Sequence, residues 1–218
     1  VLTMIRKYLT VRTEEKNLYG EVFTPIELIC EMLDKLPSEV WTNPDLKWLD
    51  PANGIGNFPV IVYYKLMEGL EKIIPDQDKR STHIIEHMLH MVELNPVNVR
   101  LCRKIFKMIH NNSKPNILQH DFLTFKGFKG IDKFHVIMCN PPWNDIKIGK
   151  QTGSRAKNSL WDKFIYKSFE ILDHNGYLGF INPAQWRGLG PEYHKIWDLF
   201  LDKQILYIHI YSKKRGGE

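Results

Sequence analysis

The tetrapeptide Asn140-Pro141-Pro142-Trp143 carries the clearest chemical signal in the chain. It follows the apolar run 135–139, which two prolines stop abruptly, and this pattern predicts a buried strand whose carboxyl end opens into a rigid turn. Parallel sheets keep their active sites at that end of their strands. The turn offers an amide, a carbonyl held by proline and an aromatic ring. Together these groups can bind a flat base through its amino group. We therefore interpret the tetrapeptide as a site for methylating an amino group.

A loop with two glycines, Gly54 and Gly56, joins the first predicted strand to a helix. Glycine lets backbone amides approach a ligand closely. The loop is not a phosphate-binding loop, because no Lys-Ser or Lys-Thr pair follows it, and it lacks the third glycine of the dinucleotide fingerprint. A small-ligand site is the functional interpretation, and a plain tight turn is the alternative.

Carboxylates stand at three successive predicted strand ends. Asp50 would repel a pyrophosphate but suits a cationic amino acid group. Glu93 can accept both hydroxyls of a ribose. Asp121 can accept from an exocyclic amine, with Phe122 lying on a purine face. Together they predict a nucleoside site, although each acid taken alone is also explained as a helix cap or a loop charge.

From about residue 25 onward, strand-like and helix-like segments alternate, as they do in α/β proteins. Strands are predicted at 46–49, 88–94, 117–122, 134–139, 177–181 and 205–211, and helices at 25–36, 57–70, 97–110, 160–172 and 193–201. These segments predict a doubly wound, mostly parallel Rossmann-like sheet. Residues 1–22 are predicted to form an N-terminal helical arm, and residues 23–218 one domain.

Composition is that of an ordinary globular protein, with 218 residues, 43% hydrophobic and 25% charged. The net charge of +5 and a pI near 9.0 are consistent with an anionic partner such as nucleic acid. No apolar stretch approaches the roughly 20 residues of a membrane span, so no membrane partner is expected. We expect a cytoplasmic location. The scattered cysteines Cys30, Cys102 and Cys139 are predicted to be buried free thiols.

Three segments, 20–25, 50–58 and 140–143, resemble in this order the signature of a known family. It is the γ-type family of S-adenosylmethionine-dependent DNA adenine-N6 methyltransferases of restriction-modification systems. The resemblance covers roughly residues 20–183 and implies a methyltransferase form of the predicted fold. Because the chain begins with Val1 and ends at Glu218, we expect a catalytic-domain fragment. Its last strand and a target-recognition domain or specificity subunit would lie outside it.

The resemblance also implies roles for individual residues, with S-adenosyl-L-methionine as the cofactor. The implied cofactor-binding residues are Phe23, Thr24, Pro25, Asp50, Pro51, Ala52, Asn53, Gly54, Gly56, Phe58, Glu93, Leu94, Asp121, Phe122 and Asn140. The implied catalytic residues are Asn140, Pro141, Pro142 and Trp143. Two positions depart from the family pattern, which usually has Cys where Asn53 stands and Tyr or Phe where Trp143 stands.

By this interpretation the target is an adenine flipped out of duplex DNA and stacked on Trp143. The Asn140 oxygen and the Pro141 carbonyl would accept its amino hydrogens, and this step requires no metal. Four cations in the following polar segment are candidates for holding DNA phosphates, with a solvated loop as the alternative. They are Lys147, Lys150, Arg155 and Lys157.

Two other functions remain open from the sequence. Relatives with an Asn-Pro-Pro-aromatic turn also methylate protein glutamine at N5, but the element Phe23-Thr24-Pro25 ahead of the glycine loop favours DNA. A non-catalytic DNA-binding subunit that retains the fold is the other alternative. No metal site is predicted from His83, His87 and His90, because no carboxylate motif accompanies them.

Overall fold

The computed structural model describes residues 24–144, 159–188 and 194–211. Five strands in this part form one sheet: β1 Trp48–Asp50, β2 Leu89–Glu93, β3 Asn116–Gln119, β4 Phe134–Cys139 and β5 Leu172–Phe180. Their order across the sheet is β3-β2-β1-β4-β5, and every neighbouring pair is parallel. The predicted parallel α/β architecture is confirmed.

Five of the seven helices in the described residues lie close to predicted positions, whereas the short helices at 39–42 and 77–83 were not predicted. They are α1 Ile26–Leu33, α2 Glu39–Thr42, α3 Asn57–Gly69, α4 Gln77–His83, α5 Pro96–Ile109, α6 Trp161–Ile171 and α7 His194–Leu201. A π-helical turn, Ile84–Met88, leads into β2, and short 3₁₀ turns occupy Phe122–Thr124 and Ala184–Arg187. Helix α5 begins where it does because Asn95 caps it by accepting from the Val97 N–H, with Pro96 in its first turn.

Helices cover both faces of the sheet, as the doubly wound prediction requires. Successive side chains of a strand point to opposite faces. Trp48 and Val136 accordingly pack with residues of α1, α3 and α5, whereas Leu49 and Ile137 pack with α6 and the 3₁₀ turn Phe122–Thr124. Two apolar clusters therefore hold the strands from either side and fix where their carboxyl ends lie.

The contacts divide the chain into two compact units, one extending to Ile181 and one beginning at Asn182. The first unit contains the whole sheet described above. In the second unit, Trp186 packs edge-on against Trp197 and Phe200 at centroid distances of 5.4 and 5.3 Å. The predicted arm, residues 1–22, lies outside the described residues.

The strand predicted at 205–211 is wrong. The alternation of Ile205, Tyr207, His209 and Tyr211 is typical of a strand, yet these residues are exposed and have no regular secondary structure. A periodic sequence makes a strand only where a neighbouring strand satisfies its backbone N–H and C=O groups. The pattern alone could not supply that neighbour.

All three cysteines are free, with Cys102 and Cys139 buried and Cys30 half-buried. This confirms the predicted free thiols, although only two are fully enclosed. Among the helices of the described ranges, none combines the length and the apolar character needed to cross a bilayer.

Candidate active site

The sheet order brings four chemically important strand ends to one edge. Asp121 follows β3, Glu93 ends β2, Asp50 ends β1 and Asn140 follows β4, and these four strands are consecutive neighbours. The chain leaves β1 toward β2 and β3 on one side and returns to β4 and β5 on the other. In open parallel sheets such a switch of direction places the ligand crevice above the strand ends, and by this rule it falls here between the ends of β1 and β4. The predicted grouping at this edge is confirmed, whereas the roles of these residues stay predictions.

The glycine loop after β1 is tied to β2 by several hydrogen bonds. The Gly54 N–H donates to Glu93 Oε2 at 2.7 Å, and the Asn53 N–H donates to the Val92 carbonyl at 3.3 Å. The loop closes on itself where the Gly56 N–H donates to the Asn53 carbonyl at 2.8 Å. The loop is therefore a preformed wall of the crevice.

Gly56 occupies a position that no other residue fits. Its φ is +102°, and a Cβ placed on it would lie 2.6 Å from Cys102 Sγ in helix α5. The left-handed backbone and the close contact both require glycine. This contact brings the start of α3 against α5, and no side chain caps the amino end of α3.

Asp50 is buried, with 5% of its surface exposed. Burial raises the pKa of this carboxyl well above its ordinary value; the hydrogen bond from the Ala52 N–H lowers it, and the nearby Glu93 raises it further. No basic side chain in the described part of the chain forms an ion pair with Asp50. A buried acid in this setting favours a ligand that brings a positive charge or N–H donors.

Two further buried oxygens of the loop have no hydrogen-bond partner within the described ranges. They are Oδ1 of Asn53 and Oδ1 of Asn57, on side chains 5% and 7% exposed. Each side-chain nitrogen is engaged, with the Gly54 carbonyl at 2.8 Å and the Thr24 carbonyl at 3.5 Å, respectively. Buried acceptors without donors are rare in proteins, and they mark a place where a ligand can donate.

Glu93 is buried at the end of β2, and both of its oxygens accept backbone N–H groups. Oε2 accepts from Gly54 and Oε1 from Asn95, each at 2.7 Å. A carboxylate has about four lone-pair sites, so these bonds orient the group without exhausting its capacity. This arrangement is compatible with the predicted contact to ribose hydroxyls.

Asp121 and Phe122 lie where β3 ends, but they face different surroundings. Asp121 is exposed and caps the 3₁₀ turn by accepting from the Leu123 N–H at 2.9 Å. The Phe122 ring is 2% exposed and packs against Phe125 and Phe164, with centroid distances of 6.1 and 5.2 Å. In this conformation the ring belongs to the core and offers no open face to a purine, in contrast to its predicted role.

The proline turn after β4 presents Asn140 and Trp143 differently. Asn140 is half-buried, and its Nδ2 donates to Thr24 Oγ1 at 3.1 Å. Pro141 is buried, whereas Trp143 is 40% exposed and so has ring surface available for stacking. The turn therefore combines an anchored amide with an accessible aromatic ring.

The segment after Trp143 is closed at its base. Asn144 and Ser159 form an antiparallel bridge, and the Leu160 N–H donates to the Trp143 carbonyl at 3.0 Å. The predicted DNA-contacting residues Lys147, Lys150, Arg155 and Lys157 fall between these two ends and lie outside the described residues, as does Phe23.

The remaining predicted residues fall into three groups. Pro51 and Phe58 are buried, Ala52 and Pro142 are half-buried, and Pro25 and Leu94 are exposed, Leu94 to 56%. Sequence reasoning missed Asn57, which contacts Thr24, although an amide opening the otherwise apolar run 57–62 was a usable signal. The contact of Cys102 with Gly56 gave no such signal, because it depends on how α5 packs.

The described residues contain no group of three or more His, Cys, Asp or Glu side chains arranged to hold a metal ion. Two of the three histidines from which no metal site was predicted, His83 and His90, have backbone partners. His83 Nε2 lies 2.8 Å from the Pro44 carbonyl, and His90 Nδ1 lies 3.0 Å from the Met88 carbonyl.

Comparison with known structures and sequences shows the fold class of this chain and its family. The chain has the Rossmann-like fold of class I S-adenosylmethionine-dependent methyltransferases. One such solved structure, the M protein of the type I restriction enzyme EcoKI, superposes with a TM-score of 0.54 at 20% identity. The superposition covers 84% of this chain and 38% of that one.

Residues 26–215 match the family described as Eco57I restriction-modification methylase, and the chain belongs to that family. It is 34% identical over 142 residues to a Mycoplasma pneumoniae protein described as an uncharacterized adenine-specific methylase. It is 27% identical over 178 residues to the type II methyltransferase M.VspI of Vibrio sp. strain 343. The two matches cover 63% and 76% of this chain but only 33% and 37% of those relatives, so the chain spans about a third of their length.

Proposed function

We propose that this chain is the catalytic part of a DNA methyltransferase that transfers a methyl group from S-adenosyl-L-methionine to the N6 amino group of adenine. Family membership and the relatives described as adenine-specific and type II methyltransferases support this assignment. The observation that carries it is the position of Asn140. Its anchored amide ends β4 directly beside β1, whose own end holds the buried Asp50.

The crevice residues fit the proposed cofactor. S-adenosylmethionine supplies an electrophilic methyl group on a positively charged sulfur. Asp50 would attract its ammonium and sulfonium charges, and Asn53 and Asn57 have buried oxygens that need donors. Glu93 would hold the ribose, and Asp121 the adenine amine.

The proline turn is suited to the chemistry of the target amine. The lone pair of an exocyclic amine is delocalised into its ring, which makes the nitrogen a weak nucleophile. Asn140 Oδ1 and the Pro141 carbonyl would accept the two amino hydrogens and localise that pair on nitrogen. In the transfer a carbon–nitrogen bond would form as the carbon–sulfur bond breaks, the electron pair of the broken bond would stay on the sulfur as a neutral thioether, and the nitrogen would release one proton to solvent. Correct positioning of the two reactants supplies much of the rate.

The substrate side of the proposal requires an accessible base. An adenine inside a duplex is out of reach, so it would be flipped out and stacked on the exposed face of Trp143. Lys147, Lys150, Arg155 and Lys157 are proposed to hold the displaced phosphates. A restriction-modification system, a cytoplasmic location and a target-recognition domain or specificity subunit as partner complete the proposal.

Radiolabelled methyl transfer tests the reaction and its substrate together. The purified protein is incubated with cofactor tritiated on its methyl group and with duplex DNA, RNA or a glutamine-containing protein in separate reactions. We expect label in DNA, recovered as N6-methyladenine after enzymatic digestion. Label in RNA or at a glutamine amide would replace the substrate assignment. Binding of DNA without any transfer would instead support the non-catalytic subunit.

A further inference from the structure

Thr24 connects two parts of the crevice that are far apart in sequence. Its Oγ1 accepts from Asn140 Nδ2 at 3.1 Å, across 116 residues of chain. Its backbone carbonyl accepts from Asn57 Nδ2 at 3.5 Å. Thr24 is 6% exposed, so these bonds form away from bulk water, where a hydrogen bond constrains geometry most strongly.

We propose that the Thr24 hydroxyl is a positioning residue that sets the orientation of the Asn140 amide. The inference rests on the proposed function, in which Asn140 Oδ1 must face the target amine. An amide has a donor end and an acceptor end, and rotation about its last side-chain bond exchanges them. A hydroxyl can pair with either end; in this structure it accepts from the nitrogen end, so the oxygen end is turned away from Thr24 and the bond anchors the amide in that position.

The alternative is that Thr24 serves the cofactor alone, as the resemblance to methyltransferases implies. The two bonds of Thr24 make the alternatives separable, because they use different groups. The carbonyl contact to Asn57 holds the backbone beside the glycine loop, and a side-chain substitution leaves it in place. The hydroxyl contact to Asn140 depends on the side chain alone.

Loss of the hydroxyl has a defined chemical consequence. Without Oγ1, Asn140 Nδ2 loses its partner, and no hydrogen bond from Thr24 opposes rotation of the amide away from its present position. A fraction of the molecules would then hold Oδ1 away from the target amine, where it cannot accept the amine's hydrogens. One buried hydrogen bond corresponds to about a tenfold population change.

The test compares T24V, T24S and T24A in full-chain protein. Valine keeps the shape and removes the hydroxyl, serine keeps the hydroxyl, and alanine removes it from a side chain of nearly the same size as serine. For each variant, kcat for methyl transfer to DNA at saturating cofactor and the Kd for S-adenosylhomocysteine are measured. We expect kcat to fall about tenfold in T24V and in T24A relative to T24S, with Kd changed less than about twofold.

S81A is a matched control for loss of a buried hydroxyl. Ser81 is 3% exposed, and its hydroxyl lies 2.9 Å from the Tyr63 hydroxyl, on helix α4. We expect S81A to lower the melting temperature and leave kcat unchanged. If T24V does not fold, the comparison of T24S with T24A carries the test.

The outcomes separate this proposal from the proposed function. Unchanged kcat in T24V and T24A, with an active parent protein, would overturn the positioning role and leave the function standing. A rise in Kd with kcat preserved at saturation would assign Thr24 to the cofactor and also overturn it. If the parent protein transfers no methyl group, the proposed function fails first, and the positioning role fails with it.

Discussion

Asp50 and His90 lie on neighbouring strands and are both buried titratable groups, but they are buried in different ways. His90 pairs in register with Leu49, one residue before Asp50. Burial raises the pKa of Asp50 and lowers the pKa of His90 to about 4, so both environments favour the neutral form. His90 has the Met88 carbonyl as a partner and aromatic neighbours, Phe128 and Phe134, at 5.0 and 5.6 Å.

The different surroundings of His90 and Asp50 distinguish a buried group that packs in the core from one that is suited to contact a ligand. His90 packs against two aromatic rings and has a backbone carbonyl as its partner, so its burial serves the fold. Asp50 stands at the end of β1 without a cationic partner, close in sequence to Asn53, whose buried Oδ1 has no hydrogen-bond partner within the described residues. Burial of an acid without a cation is unfavourable in the cofactor-free protein and becomes favourable once a cationic ligand binds. The edge therefore has the features of the ligand site that we propose, whereas His90 in the sheet interior contributes to stability.

Among substitutions at the edge and in the interior of the sheet, N140A is expected to have the largest effect on activity. Removing the amide at the edge should lower methyl transfer about a thousandfold and leave the melting temperature and cofactor affinity nearly unchanged. N182A is the matched control, because Asn182 also precedes a proline and its Nδ2 donates to the Pro183 carbonyl at 3.0 Å. Similar losses of activity in both variants would contradict a specific role for Asn140.

Acid sensitivity should be reduced in H90L. The pKa of His90 is lowered in the folded state, so its contribution to stability is complete above about pH 6.5 and is lost as the pH falls toward about 4. Lys47 and His87 lie close enough to lower this pKa further, and burial is the main cause. The loss corresponds to about 3 kcal/mol of unfolding free energy.

Urea unfolding at several pH values measures how the free energy of unfolding depends on pH. Between about pH 6.5 and 4 this free energy should fall less in H90L than in the parent protein. The exposed His174, changed to leucine, serves as the control and should leave the decline unaltered. Equal slopes for all three proteins would show that His90 is not the interior group that senses acid.

G56A should destabilise the protein, because it places a methyl group in the close contact between the glycine loop and helix α5. The substitution combines an unfavourable φ of +102° with a Cβ 2.6 Å from Cys102 Sγ, and we expect a loss of about 2 to 3 kcal/mol. Gly130 provides the control, since its φ is +77° but nothing lies within 4 Å of an added Cβ. G130A should cost about 1 kcal/mol, and chemical denaturation measures the difference. Equal losses would mean that α5 yields to the added methyl group.

The smallest effect is expected from D50N, and this substitution should stabilise the protein, whereas G56A should destabilise it. A raised carboxyl pKa means that Asp50 contributes stability fully only below its unfolded value of 3.8, and this contribution is lost as the pH rises through the folded pKa. Near neutral pH, D50N should therefore raise the melting temperature of the cofactor-free protein by about 3 °C while weakening cofactor binding.

The control for D50N is D121N, because Asp121 is exposed and asparagine caps a helical turn as well as aspartate does. Its melting temperature should not change. A D50N protein that is less stable than the parent at every pH would place Asp50 among structural groups such as His90, and the contrast would disappear.

The sequence predicted this contrast only in part. Asp50, Glu93 and Asn140 were placed correctly at adjacent strand ends, because strand ends and proline turns are local features. The burial of Phe122 and the contact between Gly56 and Cys102 were not predictable, since both depend on how distant segments pack. The strand predicted at 205–211 failed for the same reason, because pairing requires a neighbour that periodicity does not reveal.

The bridge between Asn144 and Ser159, with the bond from Leu160 to the Trp143 carbonyl, clamps both ends of the segment that follows the proline turn. Leu160 also immediately precedes helix α6, so this bond joins the start of that helix to the proline turn. A displacement of α6 would therefore be transmitted to Trp143.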